Sequence, residues 1–498
     1  MPQLISNLSE LTSEAVAAFR KAIAQPQPAD KLAKSITQAT GLTAYDLQAP
    51  AKQLFPVLTP IRNKIPRVSG RGGTATNWKA VTAINTASLR GFVPEGTRNG
   101  RVATSVVERN ASYKTYGLED SVTFEAERAG QGFEDIKATT AQRLLWATMI
   151  EEELQDLGGN AGLALGTPTA PTVTAVNGGG TIADGTYNVI VVALSLFGFL
   201  ASSLPTGIVG AVSVSTATGN AFSYGGGSSN KSSATSTGEL ANGGDLILRA
   251  STPVVRGAVA YAWFVGAAGS ELLQAITTIN SVELKSLVTT GRQNASAITA
   301  DNSRHTYGYD GILYQAWADG SNAYIHSLAT GTAGAGTPLS TDNAGGIVEI
   351  DAMLEAMWSG YKLSPTTIYV NAQEAKNITK LLLGGSGVNY NLNMAPGSEF
   401  TAGAIVARYL NKFSMGGGQV IPIQIHPYLP AGTLTALTEQ LPYPVTNIPN
   451  VMEKILRQDY YQIEWPLRER AYETGVYADG VLAHYFPPSI GIISNIGG

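Results

Sequence analysis

The sequence predicts an α+β protein interrupted by an all-β domain, and three observations carry that reading. Residues 133–157 place Ile136, Ala141, Leu144, Leu145, Ile150, Leu154 and Leu157 at three- and four-residue spacing without Gly or Pro, the pattern of one long amphipathic helix. Residues 54–132 before it are rich in Arg and Gly and poor in apolar periodicity, as an extended arm would be. After Leu165 the composition shifts to Thr, Val, Ser, Ala and Gly in short alternating runs, which predicts a β-sandwich over 167–303.

Taken in order, residues 8–24 (Leu8, Leu11, Val16, Phe19, Ile23) read as a short amphipathic helix closed by Pro26-Gln27-Pro28, and 31–39 as a weaker one. In the stretch 54–67, prolines 56, 60 and 66 argue against a helix and for extended chain. Residues 78–89 read as a strand, 91–100 as a hairpin tip and 102–118 as the returning leg. The long helix stops at Gly158-Gly159-Asn160. In the inserted stretch, 185–193 and 258–265 are strands, and 225–236 reads as a mobile Gly/Ser loop. Beyond His305, helices are expected at 347–361 and 372–383, and strands at 367–370, 420–425 and 433–437. Long strands should follow from 459 to 493, broken at Pro466 and Pro487-Pro488.

Bulk composition narrows the function. The 498 residues carry a formal charge of −4, which disfavours a nucleic-acid binder with a basic body. Charged residues are only 14% of the chain against about 25% in ordinary soluble domains. That fits a subunit with large buried contacts, and it also suits a β-rich protein with a Thr/Ser/Asn surface. There is no cysteine, hence no disulfide framework and no thiolate metal site. No segment approaches the ~18 consecutive apolar residues of a membrane span. Met1-Pro2-Gln3-Leu4 opens without a basic region and apolar core, so no signal peptide is expected.

A search for chemistry finds no constellation. His305, His326, His426 and His484 are not at metal-ligand spacing, and each reads as a surface or satisfied core residue. Residues 384–388 depart from a nucleophile elbow at Val388, and no Gly-Lys dipeptide supports a P-loop. Consecutive helical carboxylates at 151–153 do not converge on one ion. No catalytic residue, cofactor or metal is therefore assigned. What remains is charge. Glu151, Glu152, Glu153 and Asp156 crowd the C-terminal end of the long helix, where the macrodipole disfavours anions. Arg71, Arg90, Arg98 and Arg101 in the arm have few acids nearby in sequence. These eight residues are the candidate contacts between subunits, the arginines of one copy facing the acids of the next.

Three strings then carry a resemblance: Leu58-Thr59-Pro60-Ile61-Arg62-Asn63-Lys64-Ile65-Pro66-Arg67, the tip Phe92-Val93-Pro94-Glu95-Gly96, and the return Tyr116-Gly117-Leu118-Glu119-Asp120-Ser121-Val122-Thr123. With the order of elements, they resemble the major capsid protein of tailed bacteriophages, the fold named after phage Hong Kong 97 and shared with encapsulin nanocompartments. The resemblance implies an N-terminal arm (1–53), an extended basic hairpin loop (54–117), and a peripheral domain (118–166 and 441–498) with its spine helix at 133–157. It implies an axial domain at 304–440. The segment 167–303 is similar to the immunoglobulin- or fibronectin-like insertions of some phage capsids. The implied function is an icosahedral shell of hexamers and pentamers around double-stranded DNA, assembled in the bacterial cytoplasm and residing in the virion. Separate scaffolding and portal proteins, with decoration proteins as an optional addition, are the implied partners, with indirect or weak contact to the packaged DNA and none to a membrane. An encapsulin shell and a carbohydrate-binding, adhesive surface protein are the alternatives.

Overall fold

The computed structural model describes residues 55–132, 134–216, 219–241, 243–384, 408–414, 416–443 and 448–498. The helices expected at 8–24 and 31–39, and the arm 1–53, lie outside the described residues. The long helix spans Ile136–Gly158. It begins later than its apolar pattern suggests because Asp135 takes the N-cap, its carboxylate accepting from Ala138 N at 3.1 Å. Leu144, Ala147, Ile150, Leu154 and Leu157 form its buried stripe. Gly158 admits a close neighbour: a Cβ there would sit 2.1 Å from Leu196 Cδ2 of the inserted segment.

This helix lies against a four-stranded sheet whose order is Arg67–Ser69, Met452–Glu464, Ala471–His484, Lys114–Thr123. The first pair is parallel and the others antiparallel. The lead-in corrects one expectation. Pro60–Lys64 is a short helix, with Pro60 in the first turn, where its missing N–H would have no intrahelical partner. The hairpin pairs Ala75–Ile84 with Thr104–Ser112, from Ala75↔Ser112 to Ile84↔Thr104. Its returning leg is shorter than the expected 102–118, because after Tyr113 the chain leaves the hairpin and Lys114–Thr123 joins the large sheet.

Residues 172–284 build two facing sheets. One holds Thr235–Leu240, Gly185–Leu194, Ala260–Gly266 and Leu272–Thr277, with Ser228–Lys231 added to its second strand. The other holds Ser281–Leu284, Leu246–Ser251 and Thr172–Ile182. Between them sit Val189, Val191, Trp263, Val265, Leu246 and Leu248. The expected Gly/Ser loop at 225–236 is instead partly a paired strand, Ser228–Lys231, and its first half is interior: Ser228 and Ser229 are fully buried. Its glycines permit contact. A Cβ on Gly225 would lie 2.3 Å from Asn302 O, and one on Gly226 2.4 Å from Gly210 O.

A six-stranded sheet runs Tyr324–Ser327, Ile490–Ser494, Leu434–Leu437, Thr367–Val370, Gln419–Ile425, Arg408–Asn411. Helices Val348–Tyr361 and Ala372–Gly384 pack with it. The last strand thus departs from the expected grouping of 441–498. Ile490, Ile492 and Ile493 are fully buried, and a strand apolar on both faces belongs in the interior of a covered sheet. A second core joins the parts: Ile61, Leu157, Leu196, Val259, Trp317, Tyr369, Val481 and Ile490 pack as one cluster.

Candidate functional site: a buried charge network at the root of an exposed hairpin

The C-terminal turns of the long helix face inward and carry three carboxylates into the core. Glu152, Glu153 and Asp156 are essentially inaccessible to solvent. Glu152 receives Arg67 Nη1 at 2.9 and 3.0 Å on its two oxygens, Arg62 Nε at 2.9 Å and Tyr116 OH at 2.7 Å. Tyr460 OH also donates to it. Asp156 Oδ1 accepts from Lys454 Nζ at 2.7 Å and Tyr309 OH at 2.6 Å. Lys454 also lies 3.4 Å from Glu152 and 4.2 Å from the centre of the Tyr309 ring. Glu153 does something different. It accepts from Ile61 N at 3.0 Å and Arg62 N at 2.7 Å, capping the short lead-in helix in place of Thr59, whose side chain makes no cap. The same carboxylate meets His426 Nε2 at 2.6 Å.

Burial opposes charge on Glu152, yet Lys454 and Arg67, helped by the Tyr460 and Tyr116 hydroxyls, hold its carboxyl down at about 2. For Asp156 burial wins. Lys454 pulls down and Glu152 pushes up, leaving the carboxyl raised to about 6. Such buried pairs fix geometry more reliably than they add stability. Here they lock the lead-in (Arg62, Arg67), the long helix, the C-terminal strands (Lys454, Tyr460) and the 426 turn into one unit, from which the hairpin departs.

The acidic residues therefore correct the intersubunit expectation. Glu152, Glu153 and Asp156 have their partners within the chain and present no face to a neighbour. Glu151 is half-buried near His305. The dipole argument rightly demanded cations, but Arg62, Arg67, Lys454 and His426 supply the positive or donor groups from the same chain. No sequence signal marked Lys454 or His426; for Arg62 and Arg67 the signal was their place in the Pro-rich lead-in. Arg71, Arg90, Arg98 and Arg101 are exposed, and none forms an ion pair among the described residues.

The hairpin itself is a two-stranded ribbon with nothing beneath most of it. Phe92 is 98% exposed, Ile84 73%, Val81 59%, Val102 58% and Val106 51%. Only its root touches the body, where Trp78 meets Tyr485 edge-on at 5.4 Å. Among the described residues no group of three or more His, Cys, Asp or Glu could hold a metal ion, and no helix is long and apolar enough to cross a membrane. His484 is buried, which with nearby Arg109 pushes its imidazole down to about 3. His305 stacks on Tyr224 with ring centres 4.0 Å apart, and His326 is exposed.

No protein-family model matches the chain, and no curated protein matches it in sequence. Solved structures do overlap it over nearly its whole length. The capsid of Myoviridae phage XM1 is 8% identical with a TM-score of 0.42, covering 95% of this chain and 100% of that one. The capsid asymmetric unit of cyanophage A-1(L) is 12% identical at 0.41, covering 93% and 99%. The holo-SrpI encapsulin complex from Synechococcus elongatus is 8% identical at 0.38, covering 90% and 93%. With every score under 0.5, these likenesses carry no argument about what the chain does.

Proposed function

We propose that the chain is a structural subunit that self-assembles into a closed icosahedral shell, the capsid around the double-stranded DNA of a tailed bacteriophage. One observation carries this reading: the Ala75–Ile84/Thr104–Ser112 hairpin exposes Val81, Ile84, Phe92, Val102 and Val106 with no core of its own. An isolated two-stranded ribbon is marginal in water, so a hairpin that leaves several large apolar side chains exposed, the cross-strand pair Val81 and Val106 among them, calls for a partner to cover it. The charge network supports the reading, because a rigid root lets a long finger present its surface at a fixed angle. The lead-in, tip and return strings that resemble phage capsid proteins support it from the sequence side.

On this reading 54–117 is the extended loop, 167–303 an inserted domain, and the two larger sheets serve the peripheral and axial parts of a capsomer. Arg71, Arg90, Arg98 and Arg101 are intersubunit contacts, facing acids other than Glu152, Glu153 and Asp156. Hexamers and pentamers form the shell, and scaffolding, portal and decoration proteins are its partners. Stability and assembly are then inseparable, since each hairpin gains its cover only from a neighbour. Purified, concentrated subunit should yield closed particles in negative-stain micrographs. A monodisperse monomer under every salt and crowding condition, including with co-expressed scaffold, would refute the proposal.

A further inference from the structure

The sequence holds three Asn-Gly dipeptides, at 99–100, 177–178 and 242–243. Such a pair is chemically reactive, because the glycine amide nitrogen can attack the asparagine side-chain carbonyl carbon with no Cβ on the glycine in the way. The structure treats the three differently. Gly178 N donates to Asp245 O at 3.1 Å and Gly243 N to Asp184 Oδ2 at 3.1 Å, so both nitrogens are held toward other residues. Gly100 N instead donates to Oδ1 of Asn99 itself at 2.8 Å, which sets the nitrogen beside the carbonyl it would attack. Asn99 and Gly100 are both exposed at the hairpin tip, open to the water that the reaction consumes.

We propose that Asn99 is a site of spontaneous self-modification, losing its side-chain amide through attack by Gly100 N. A bond forms from Gly100 N to Asn99 Cγ as the Cγ–Nδ2 bond breaks, and the leaving group departs as ammonia with the proton from Gly100 N. One solvent water then opens the five-membered imide. Opening at Cγ leaves an aspartate; opening at the backbone carbonyl leaves an isoaspartate, with the main chain rerouted through the side chain. No oxidant, metal or enzyme is needed. The consequence is local. Asn99 Nδ2 donates to Arg90 O, the outermost hydrogen bond joining the two legs of the tip, and the next inward is Thr86 N to Ala103 O at 2.9 Å. A carboxylate has no hydrogen to give and repels the Arg90 carbonyl, so conversion unclasps the tip. It also places a negative charge among the exposed Arg90, Arg98 and Arg101. The change runs one way, so the tip records the age of the molecule.

The chemistry needs no shell and is tested on the full chain in solution. Protein held in mildly alkaline heavy-oxygen water and then cut after glutamates releases a peptide spanning 96–108. In mass spectra that peptide should take up one heavy oxygen and resolve into aspartyl and isoaspartyl forms. It should do so about tenfold faster than the peptides holding Asn177 and Asn242, whose glycine amides must first break a hydrogen bond. In urea the three rates should converge. Equal rates in the folded chain, or an advantage for Asn99 that persists in urea, would overturn the assignment, since dipeptide sequence and not tip geometry would then decide. The clasp has its own readout: Asn99→Asp should speed tryptic cleavage after Arg90 by about tenfold over freshly purified wild type. An unchanged rate at Arg90 overturns the unclasping.

Discussion

Replacing Lys454 by Met tests the charge network most directly. Lys454 is 1% exposed, its ammonium 2.7 Å from Asp156 and 3.4 Å from Glu152, and no other cation is paired to Asp156 among the described residues. Met fills most of the same volume, so the loss is chiefly electrostatic. Breaking a buried pair by removing one partner costs about 3–5 kcal/mol. If opening near the helix end limits exchange, amide hydrogens in residues 147–158 should exchange about two to four powers of ten faster at pH 7.5. The pH dependence fixes the sign. The Asp156 carboxyl is raised to about 6 against 3.8 when unperturbed, so the stabilisation from its proton is complete below 3.8 and lost as pH rises through 6. Without Lys454 it rises further, the variant takes up a proton on folding, and its deficit should shrink by about 1.4 kcal/mol per pH unit between pH 7.5 and 6, then level off where the wild type takes up the same proton. An unchanged exchange rate at pH 7.5, or a deficit independent of pH, would show that the lysine does not neutralise this site.

Three further outcomes are expected. Glu374 is fully buried, its Oε2 has no partner, and burial raises its carboxyl to about 7, against the pull of Gly432 N and Asn377. Its stabilisation is present below 4.5 and lost as pH rises through 7, so Glu374→Gln should flatten that loss and raise stability at pH 8 by up to about 3 kcal/mol in urea titrations. Gly198→Val would drive a Cβ to 2.3 Å from Gly227 O, a backbone atom that cannot step aside, and should cost about 3 kcal/mol or more, seen as a lowered melting temperature of the inserted sheets. Glu153→Ala strips the cap from Ile61 N and Arg62 N and should cost about 3 kcal/mol, read as faster proteolysis within residues 55–70 with the inserted domain unaffected.

Local order in the sequence was strong enough to specify many elements. The three- and four-residue apolar spacing of the long helix, the β-branched run Val189-Ile190-Val191-Val192, the strand Thr367–Val370 and the helix Val348–Tyr361 all depend on neighbours a few residues apart, and the structure has each nearly where the pattern puts it. The same spacing showed that Glu151–Asp156 is an uncomfortable place for anions. It could not say where relief comes from, because Glu152 and Asp156 take their cations from residues 85 to 302 positions away, brought close by the sheet that Arg67–Ser69 shares with Met452–Glu464. Pro60 likewise forbids a helix only in its interior. Whether it opens one was decided by Glu153, 93 residues on, waiting to bind the free N–H groups of Ile61 and Arg62. Composition also reads identically for a flexible tether and for a seam of close backbone contact, so the glycines at 225–227 became interior only once Gly198, Gly210 and Asn302 lay against them. Residue order set the elements and the needs of their side chains; which distant group met each need was settled by the tertiary fold.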